Sequence, residues 1–173
     1  MRWLIETALL VLLAFALAFA IRTFVVEPFV VPTGSMIPTI EINNRVLAEK
    51  ISFRFLRQPR YGDIVVFPDP KGEHPHLIKR VIATGGQTVD LRDGKVLVNG
   101  TELSEPYTHG EPSDQLTPEI SFPLTVPADD VWVMGDNRTN SGDSRVFGPV
   151  PVKDVQGRAI WTYWPPPAFG RLQ

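Results

Sequence analysis

One serine lies in a constrained segment of the chain and could act as a nucleophile. Ser35 stands between Gly34 and the turn-like run Met36-Ile37-Pro38, directly after an apolar stretch. Glycine lets the backbone approach a ligand closely and proline stiffens the chain beyond it, so the hydroxyl would be held on a bend. A serine hydroxyl still needs a base to take its proton. Taken alone, a segment of this kind is more often a turn than an active site.

Lys79 is the candidate base, because it alone among five lysines lies in the middle of a strongly apolar strand. Leu77 and Val81 share its face of the strand, and Ile78 and Ile82 line the other face. An ordinary lysine, with a pKa of about 10.4, is protonated at neutral pH. Burial disfavours the charged form, and a pKa lowered by roughly 2 to 3 units would make an effective base. The alternative is a lysine that snorkels from the edge of a strand to solvent.

Other nucleophiles and ligands are absent or weakly indicated. The sequence has no cysteine, which excludes thiol nucleophiles, disulfides and thiolate metal sites. His74 and His76 flank Pro75, and His109 lies in a loop-like stretch. No third ligand follows the His-Pro-His run at metal spacing, so we interpret the histidines as solvated loop residues. We expect no metal and no cofactor.

Residues 134–145 form a segment rich in polar groups, directly after a Val-Trp-Val strand. An EF-hand calcium loop is excluded, because Phe147 would fall at the position of the bidentate glutamate. A flexible polar loop and a self-ordered scaffold remain. The scaffold is favoured because two acidic and two basic side chains could pair with one another. These are Asp136, Arg138, Asp143 and Arg145.

The element that comes first in the chain is an apolar N-terminal segment. Residues 8–21 are all apolar, and with their flanks they reach about the length that spans a bilayer. A cleaved signal peptide is the rival interpretation, because the tracts 16–18 and 18–20 both have the small-x-small form. The uncleaved anchor is favoured, since the n-region carries only Arg2 and the amino terminus as positive charges. We expect a transmembrane anchor over residues 1–26.

After the anchor the pattern is that of β-strands. Residues 89–98 are typical of a hairpin with Asp93-Gly94 as its turn, and residues 104–121 of a surface loop. Short β-branched runs bounded by Pro or Gly lie at 25–26, 29–31, 63–67, 77–82, 131–134 and 158–164. The 17 prolines and 13 glycines also favour short strands joined by turns. We predict a mostly β fold, a compact antiparallel β-sheet domain over residues 27–173 behind the N-terminal transmembrane helix.

Length and charge narrow the function classes. A chain of 173 residues allows one ordinary domain and a short extra element. Seventeen Lys and Arg against nineteen Asp and Glu give a formal charge of −2, and no basic and aromatic stripe is present, so we expect no nucleic-acid partner.

Taken together in this order, the segments resemble the bacterial type I signal peptidases over nearly the whole chain. The motifs that carry the resemblance come after the anchor in the family's order and are Pro32–Ile40, Arg60–Phe67, Lys79–Ile82 and Gly135–Arg145. The resemblance implies a Ser/Lys peptidase architecture, with Ser35 as nucleophile and Lys79 as general base.

The resemblance also implies supporting roles for four residues. The side-chain hydroxyl of Thr33 matches the position that forms the oxyanion hole together with the backbone N–H of Ser35. Ser141 matches the hydroxyl that orients the lysine amine. Asp143 and Arg145 match an ion pair that braces the site.

The substrate implied by the resemblance is the C-terminal region of a signal peptide. It would add as an extended strand along residues 27–33 and the run that leads to Lys79. Shallow apolar pockets would accept small side chains at the first and third positions before the cut. The residues expected to line them are Phe29, Val31, Pro32, Met36, Ile40, Leu77 and Ile78.

The chain departs from the family's usual pattern at residues 83–87, at Thr139 and at Val146-Phe147, and it lacks the insertions of large members. The resemblance implies a monomer in the cytoplasmic membrane, in contact with the lipid bilayer, with its catalytic domain on the exported side. The apolar run 53–56 is expected to reach the lipid headgroups. Two alternatives stay open, a self-cleaving Ser/Lys peptidase and a non-enzymatic, membrane-tethered β-module.

Overall fold

A computed structural model describes residues 2–172 of the chain. It begins with one long helix, α1 (Arg2–Phe24), whose side chains are not buried in the protein. It is long and apolar enough to cross a bilayer, and no other helix in residues 2–172 is. At about 1.5 Å per residue, its 23 residues give roughly 35 Å, the length that a membrane span requires.

Short strands make up most of the remaining regular structure, as the β-branched runs and turn residues predict. They are β1 (Val26–Val30), β2 (Arg45–Glu49), β3 (Ile64–Phe67), β4 (Leu77–Thr84), β5 (Thr88–Arg92), β6 (Lys95–Val98), β7 (Thr101–Glu102), β8 (Leu124–Thr125), β9 (Asp130–Met134), β10 (Val150–Pro151), β11 (Gly157–Trp164) and β12 (Gly170–Arg171). A short helix, α2 (Ser144–Phe147), precedes β10. Single 3₁₀ turns cover Pro106–Thr108, Arg138–Asn140, Val152–Asp154 and Pro166–Ala168, and a π-helical turn covers Ser52–Leu56.

The strands form two antiparallel sheets. The larger has eight strands in the order β1-β2-β11-β3-β4-β9-β10, with β12 beside β11, and the smaller has the order β7-β6-β5-β8. The hairpin between β5 and β6 turns at Asp93-Gly94, and both residues have positive φ, as a two-residue turn of this kind requires. The prediction of a mostly β, antiparallel domain behind an apolar helix is confirmed.

The strand β2 was not predicted, although it lies inside the larger sheet between β1 and β11. Its sequence, Arg-Val-Leu-Ala-Glu, is not a β-branched run, but it pairs with both β1 and β11. Val46 and Ala48 alternate with more exposed neighbours and are fully buried. Tertiary pairing, rather than local propensity, therefore determines this strand.

The middle of the larger sheet is buried on both faces, which holds β4 in place. In β3, Ile64 and Val66 pack into one hydrophobic cluster, and Val65 and Phe67 pack into another on the opposite face. Residues that pair directly across two antiparallel strands share a face, so Lys79 lies on the face of its partner Val65. A charged side chain at this position is surrounded by the protein core.

Candidate active site

The serine and lysine predicted from the sequence are in direct contact. Lys79 Nζ donates a hydrogen bond to Ser35 Oγ at 2.7 Å and a second to the carbonyl oxygen of Ile78 at 3.1 Å. The Lys79 side chain is 2% exposed and Ser35 is 8% exposed. Lys79 therefore does not snorkel to solvent, and its amine lies within proton-transfer distance of the serine hydroxyl.

Burial tunes the lysine toward the neutral form. Loss of solvent lowers the pKa of Lys79 to about 8, although the carboxylates of Asp143, Asp69 and Asp136 act in the opposite direction. Within residues 2–172, no carboxylate oxygen lies within 4.0 Å of its nitrogen. A large fraction of the amine is therefore uncharged at mildly alkaline pH and can accept a proton.

The loop after β9 fixes the backbone around Ser35. The backbone N–H of Asn137 donates to the carbonyl of Ser35 at 3.1 Å, and Asn137 Nδ2 donates to the carbonyl of Gly34 at 2.9 Å. A Cβ atom at Gly135 would overlap the Ser35 carbonyl and Ser141 Oγ. The sequence reasoning did not single out Gly135 or Asn137, although both lie in the polar segment 134–145.

The predicted ion pair of Asp143 and Arg145 is present and completely buried. Arg145 Nε and Nη2 donate to the two carboxylate oxygens of Asp143 at 2.9 and 2.8 Å. Asp143 also caps the N-terminus of α2 and accepts the backbone N–H of Gly135 at 3.0 Å. The pair thus connects α2 to the glycine that adjoins Ser35.

The sequence analysis proposed that the four charges of segment 134–145 pair with one another. For Asp136 and Arg138 this prediction is wrong. Asp136 instead accepts two hydrogen bonds from Arg80, at 2.8 and 2.7 Å, and one from the Thr39 hydroxyl at 2.5 Å. Arg138 forms two hydrogen bonds with Glu105, at 2.8 and 2.6 Å. These partners lie far away in the sequence, so spacing within the segment could not reveal them.

Glu105 belongs to residues 104–121, which the sequence analysis interpreted as a surface loop. Arg138 also donates to the hydroxyl of Ser113, which is 2% exposed, and Arg145 Nη1 donates to the carbonyl of Asp114 at 3.3 Å. Most residues of the loop are exposed, as the prediction of a surface loop requires, but the loop is also attached to the scaffold of the site.

Both predicted supporting hydroxyls lie close to the dyad. Thr33 lines the cavities on both sides of Ser35 and Lys79. Ser141 Oγ is buried and has no hydrogen-bond partner among the described residues. It is not bonded to Lys79, so its role in orienting the amine stays a prediction.

An apolar cavity of about 290 Å³ opens beside the dyad, between β1 and the first part of β4. Five of the seven predicted substrate-binding residues line it, namely Phe29, Val31, Pro32, Leu77 and Ile78. Met36 and Ile40 are fully buried in the core and do not line it. The exposed His76 does, with its ring edge-on to that of Phe29 at a centroid distance of 5.3 Å.

A serine hydroxyl bonded to a buried, easily neutralised amine beside an apolar cleft suits nucleophilic attack on a carbonyl group. This arrangement is that of a serine hydrolase in which a lysine occupies the place of the usual histidine.

Comparison with known proteins agrees with this class. Residues 4–164 match the family described as "Signal peptidase, peptidase S26". The chain is 45% identical to signal peptidase I of Leptolyngbya laminosa, over 92% of this chain and 79% of that protein. It is 43% identical to probable signal peptidase I-2 of Synechocystis sp., over 92% of this chain and 72% of that protein.

A solved structure gives the same result. A signal peptidase I from Enterococcus faecalis superimposes with a TM-score of 0.51 at 37% identity, covering 59% of this chain and 97% of that one. The chain belongs to the signal peptidase family of serine endopeptidases, peptidase S26. Membership of this family excludes the non-enzymatic β-module.

Proposed function

We propose that this membrane-anchored endopeptidase removes signal peptides from exported preproteins after small-x-small sequences, with Ser35 as nucleophile and Lys79 as general base. The observation that carries the proposal is the 2.7 Å hydrogen bond between a serine hydroxyl and an almost fully buried lysine amine. The family membership supports the reaction class.

The chemistry derives from the dyad. Ser35 Oγ attacks the scissile carbonyl while Lys79 takes the hydroxyl proton, and the lysine then gives a proton to the leaving amine. Lys79 next activates the water that hydrolyses the acyl-enzyme. The Thr33 hydroxyl and the Ser35 backbone N–H would bind the oxyanion, a type of interaction that supplies about 3 to 4 kcal/mol for each donor.

The sheet leaves two strand edges beside the dyad that suit an extended substrate. β1 lies at the edge of the larger sheet and pairs only with β2 among the described strands. In β4, Leu77 to Lys79 pair with β3, while pairing with β9 begins only at Arg80. A substrate strand between these edges would place small side chains in the apolar cavity.

The anchor determines where the reaction takes place. We assign residues 1–26 to a single-pass anchor and residues 27–173 to the catalytic domain. The helix α1 ends at Phe24, and β1, which begins at Val26, already belongs to the larger sheet. The enzyme would reside in the cytoplasmic membrane as a monomer, with the dyad on the exported side. Phe55 and Leu56, which are 70% and 73% exposed, would contact the lipid headgroups.

The test of the dyad uses the full-length protein in phospholipid vesicles and a preprotein substrate. Ser35→Ala and Lys79→Ala should each abolish cleavage while circular dichroism stays unchanged. The matched controls Ser121→Ala and Lys153→Ala alter exposed residues of the same types and should cleave normally. Wild-type rates in Lys79→Ala would contradict the proposal.

The sidedness has its own test, which the absence of native cysteine makes possible. A single cysteine, introduced as Ser121→Cys, should react with a membrane-impermeant thiol reagent added to the outside of intact cells. Reaction only after lysis would place the domain on the opposite side.

A further inference from the structure

A second cavity lies beside the dyad and differs from the apolar one. Its volume is about 230 Å³, and it shares Ser35 and Lys79 with the apolar cavity. Much of its wall comes from residues 69–74, which we call the 69–74 loop. Three charged side chains of this loop, together with His74, line the cavity, namely Asp69, Lys71 and Glu73.

The direction of the substrate chain assigns this cavity to the residues after the cut. In a signal peptide, the apolar segment that lies in the membrane precedes the cleavage point. β1 leads away from α1 toward Ser35, so a substrate that runs in the same direction fills the apolar cavity before it reaches the nucleophile. Beyond Ser35 and Lys79, such a chain would continue into the charged cavity, because that cavity shares both residues with the apolar one.

Asp69 is held as a fixed negative charge in that cavity. Its carboxylate accepts the backbone N–H groups of Lys71 at 2.9 Å, Glu73 at 3.0 Å and His74 at 3.0 Å. Partial burial opposes ionisation, but these three hydrogen bonds keep the pKa of Asp69 below its ordinary value. The charge also acts on the reaction centre, since Asp69 is one of the carboxylates that raise the pKa of Lys79.

We infer that the 69–74 loop selects the side chain that directly follows the cleavage point and favours a cationic over an anionic one. The loop carries two carboxylates, those of Asp69 and Glu73, against one ammonium group, that of Lys71. The loop therefore carries net negative charge where the first residues of the mature protein pass. The inference rests on the proposed function, because it takes Ser35 as the point of attack.

The expected size of the preference is modest. The loop is partly exposed to solvent, and ion pairs in such places change an equilibrium by about two- to fivefold. The preference should also shrink as salt screens the charges.

The experiment uses the full-length protein in phospholipid–detergent micelles at pH 9 and low salt. The substrates are three peptides that differ only in the residue after the cut, which is Ala, Lys or Glu. The readout is the ratio of kcat/KM for the Lys peptide to that for the Glu peptide. We expect a ratio of about three to five in the wild type, falling toward one in 0.5 M salt.

Two variants should move this ratio in opposite directions. Asp69→Asn should lower it about two- to threefold, and Lys71→Gln should raise it by a similar factor. Simple distortion of the loop would not produce opposite shifts. The matched control Glu102→Gln removes one carboxylate from the distant four-stranded sheet and should leave the ratio unchanged.

The outcomes separate this inference from the proposed function. If the wild type cuts the Lys and Glu peptides equally well, or if Asp69→Asn and Lys71→Gln shift the ratio in the same direction, the inference is wrong and the dyad is unaffected. If none of the three peptides is cut, the proposed function fails and the inference fails with it.

Discussion

Lys79 and Arg80 are neighbours on β4 and are both 2% exposed, yet the protein surrounds them in different ways. Successive residues of a strand point to opposite faces, so the two cations enter different environments. Arg80 forms a bidentate pair with Asp136 and also donates to the carbonyl of Gly62 at 3.1 Å. Among the residues that the structure describes, Lys79 is bonded only to a neutral hydroxyl and a carbonyl group.

The difference shows two ways in which a protein can accommodate the free-energy cost of burying a cation. A buried cation is unstable unless it is paired or loses its proton. The arginine cannot lose its proton and is therefore paired, which makes it part of the scaffold. The lysine can lose its proton. Because no carboxylate of the described residues pairs with it, burial destabilises its charged form and lowers its pKa. An easily neutralised amine and a rigid ion pair thus occupy adjacent positions of one strand.

The comparison predicts that Lys79→Arg is the most damaging conservative change. A guanidinium stays protonated at any usable pH and cannot act as a base, although it preserves the positive charge. We expect a loss of at least about 10³-fold in kcat with substrate binding largely retained, measured by single-turnover cleavage. Residual activity within tenfold of the wild type would show that deprotonation at position 79 is not required.

Removing the partner of Arg80 should produce the next largest effect. Asp136→Ala leaves a buried guanidinium without its carboxylate and should lower the free energy of unfolding by about 3 to 5 kcal/mol, measured by urea denaturation. The control is Glu102→Ala, which breaks the exposed pair with Lys95 and should cost less than about 1 kcal/mol. If the two variants lost the same free energy of unfolding, the buried pair of Arg80 would stabilise the protein no more than an exposed pair.

Replacing the buried lysine by an apolar residue should stabilise the protein instead of destabilising it. Lys79→Met should abolish activity but raise the free energy of unfolding at pH 6 to 7 by about 2 to 3 kcal/mol. The folded pKa of about 8 lies below the ordinary value of 10.5, so the folded state binds fewer protons than the unfolded state between these values. The gain should therefore be complete below pH 8 and fade as the pH rises toward 10.5. A Met variant less stable than the wild type at pH 6 would contradict this.

The smallest expected effect is the change of the cleavage rate with pH, which measures the pKa of Lys79 most directly. If Lys79 is the general base, only its neutral amine is active, and kcat/KM should rise about tenfold per pH unit below pH 8 and level off above it. In Arg80→Lys, where the scaffold changes but the dyad remains, the midpoint should move little. A rate that is flat between pH 6 and 9 would show that no group with this pKa controls the reaction.

Much of this arrangement could be predicted from the sequence, because the signals are local. The apolar strand around Lys79 and the bend around Ser35 are visible in short windows of residues. The pairing of Arg80 with Asp136 joins residues 56 positions apart, and the attachment of Glu105 to Arg138 joins residues 33 apart. Such partners are decided by how β4, β9 and the 104–121 loop come together, which local patterns do not encode. For the same reason β2, which has little strand propensity of its own, was missed.

The short connection between α1 and β1 limits how far the scissile bond can stand from the bilayer. Each residue from Phe24 to Ser35 can add at most about 3.5 Å, so the covalent chain sets a maximum height of roughly 40 Å for the nucleophile. A preprotein whose processing point lies beyond that height must bend back toward the lipid before it can be cut. In a membrane-anchored enzyme, this length would restrict cleavage by distance from the bilayer as well as by sequence.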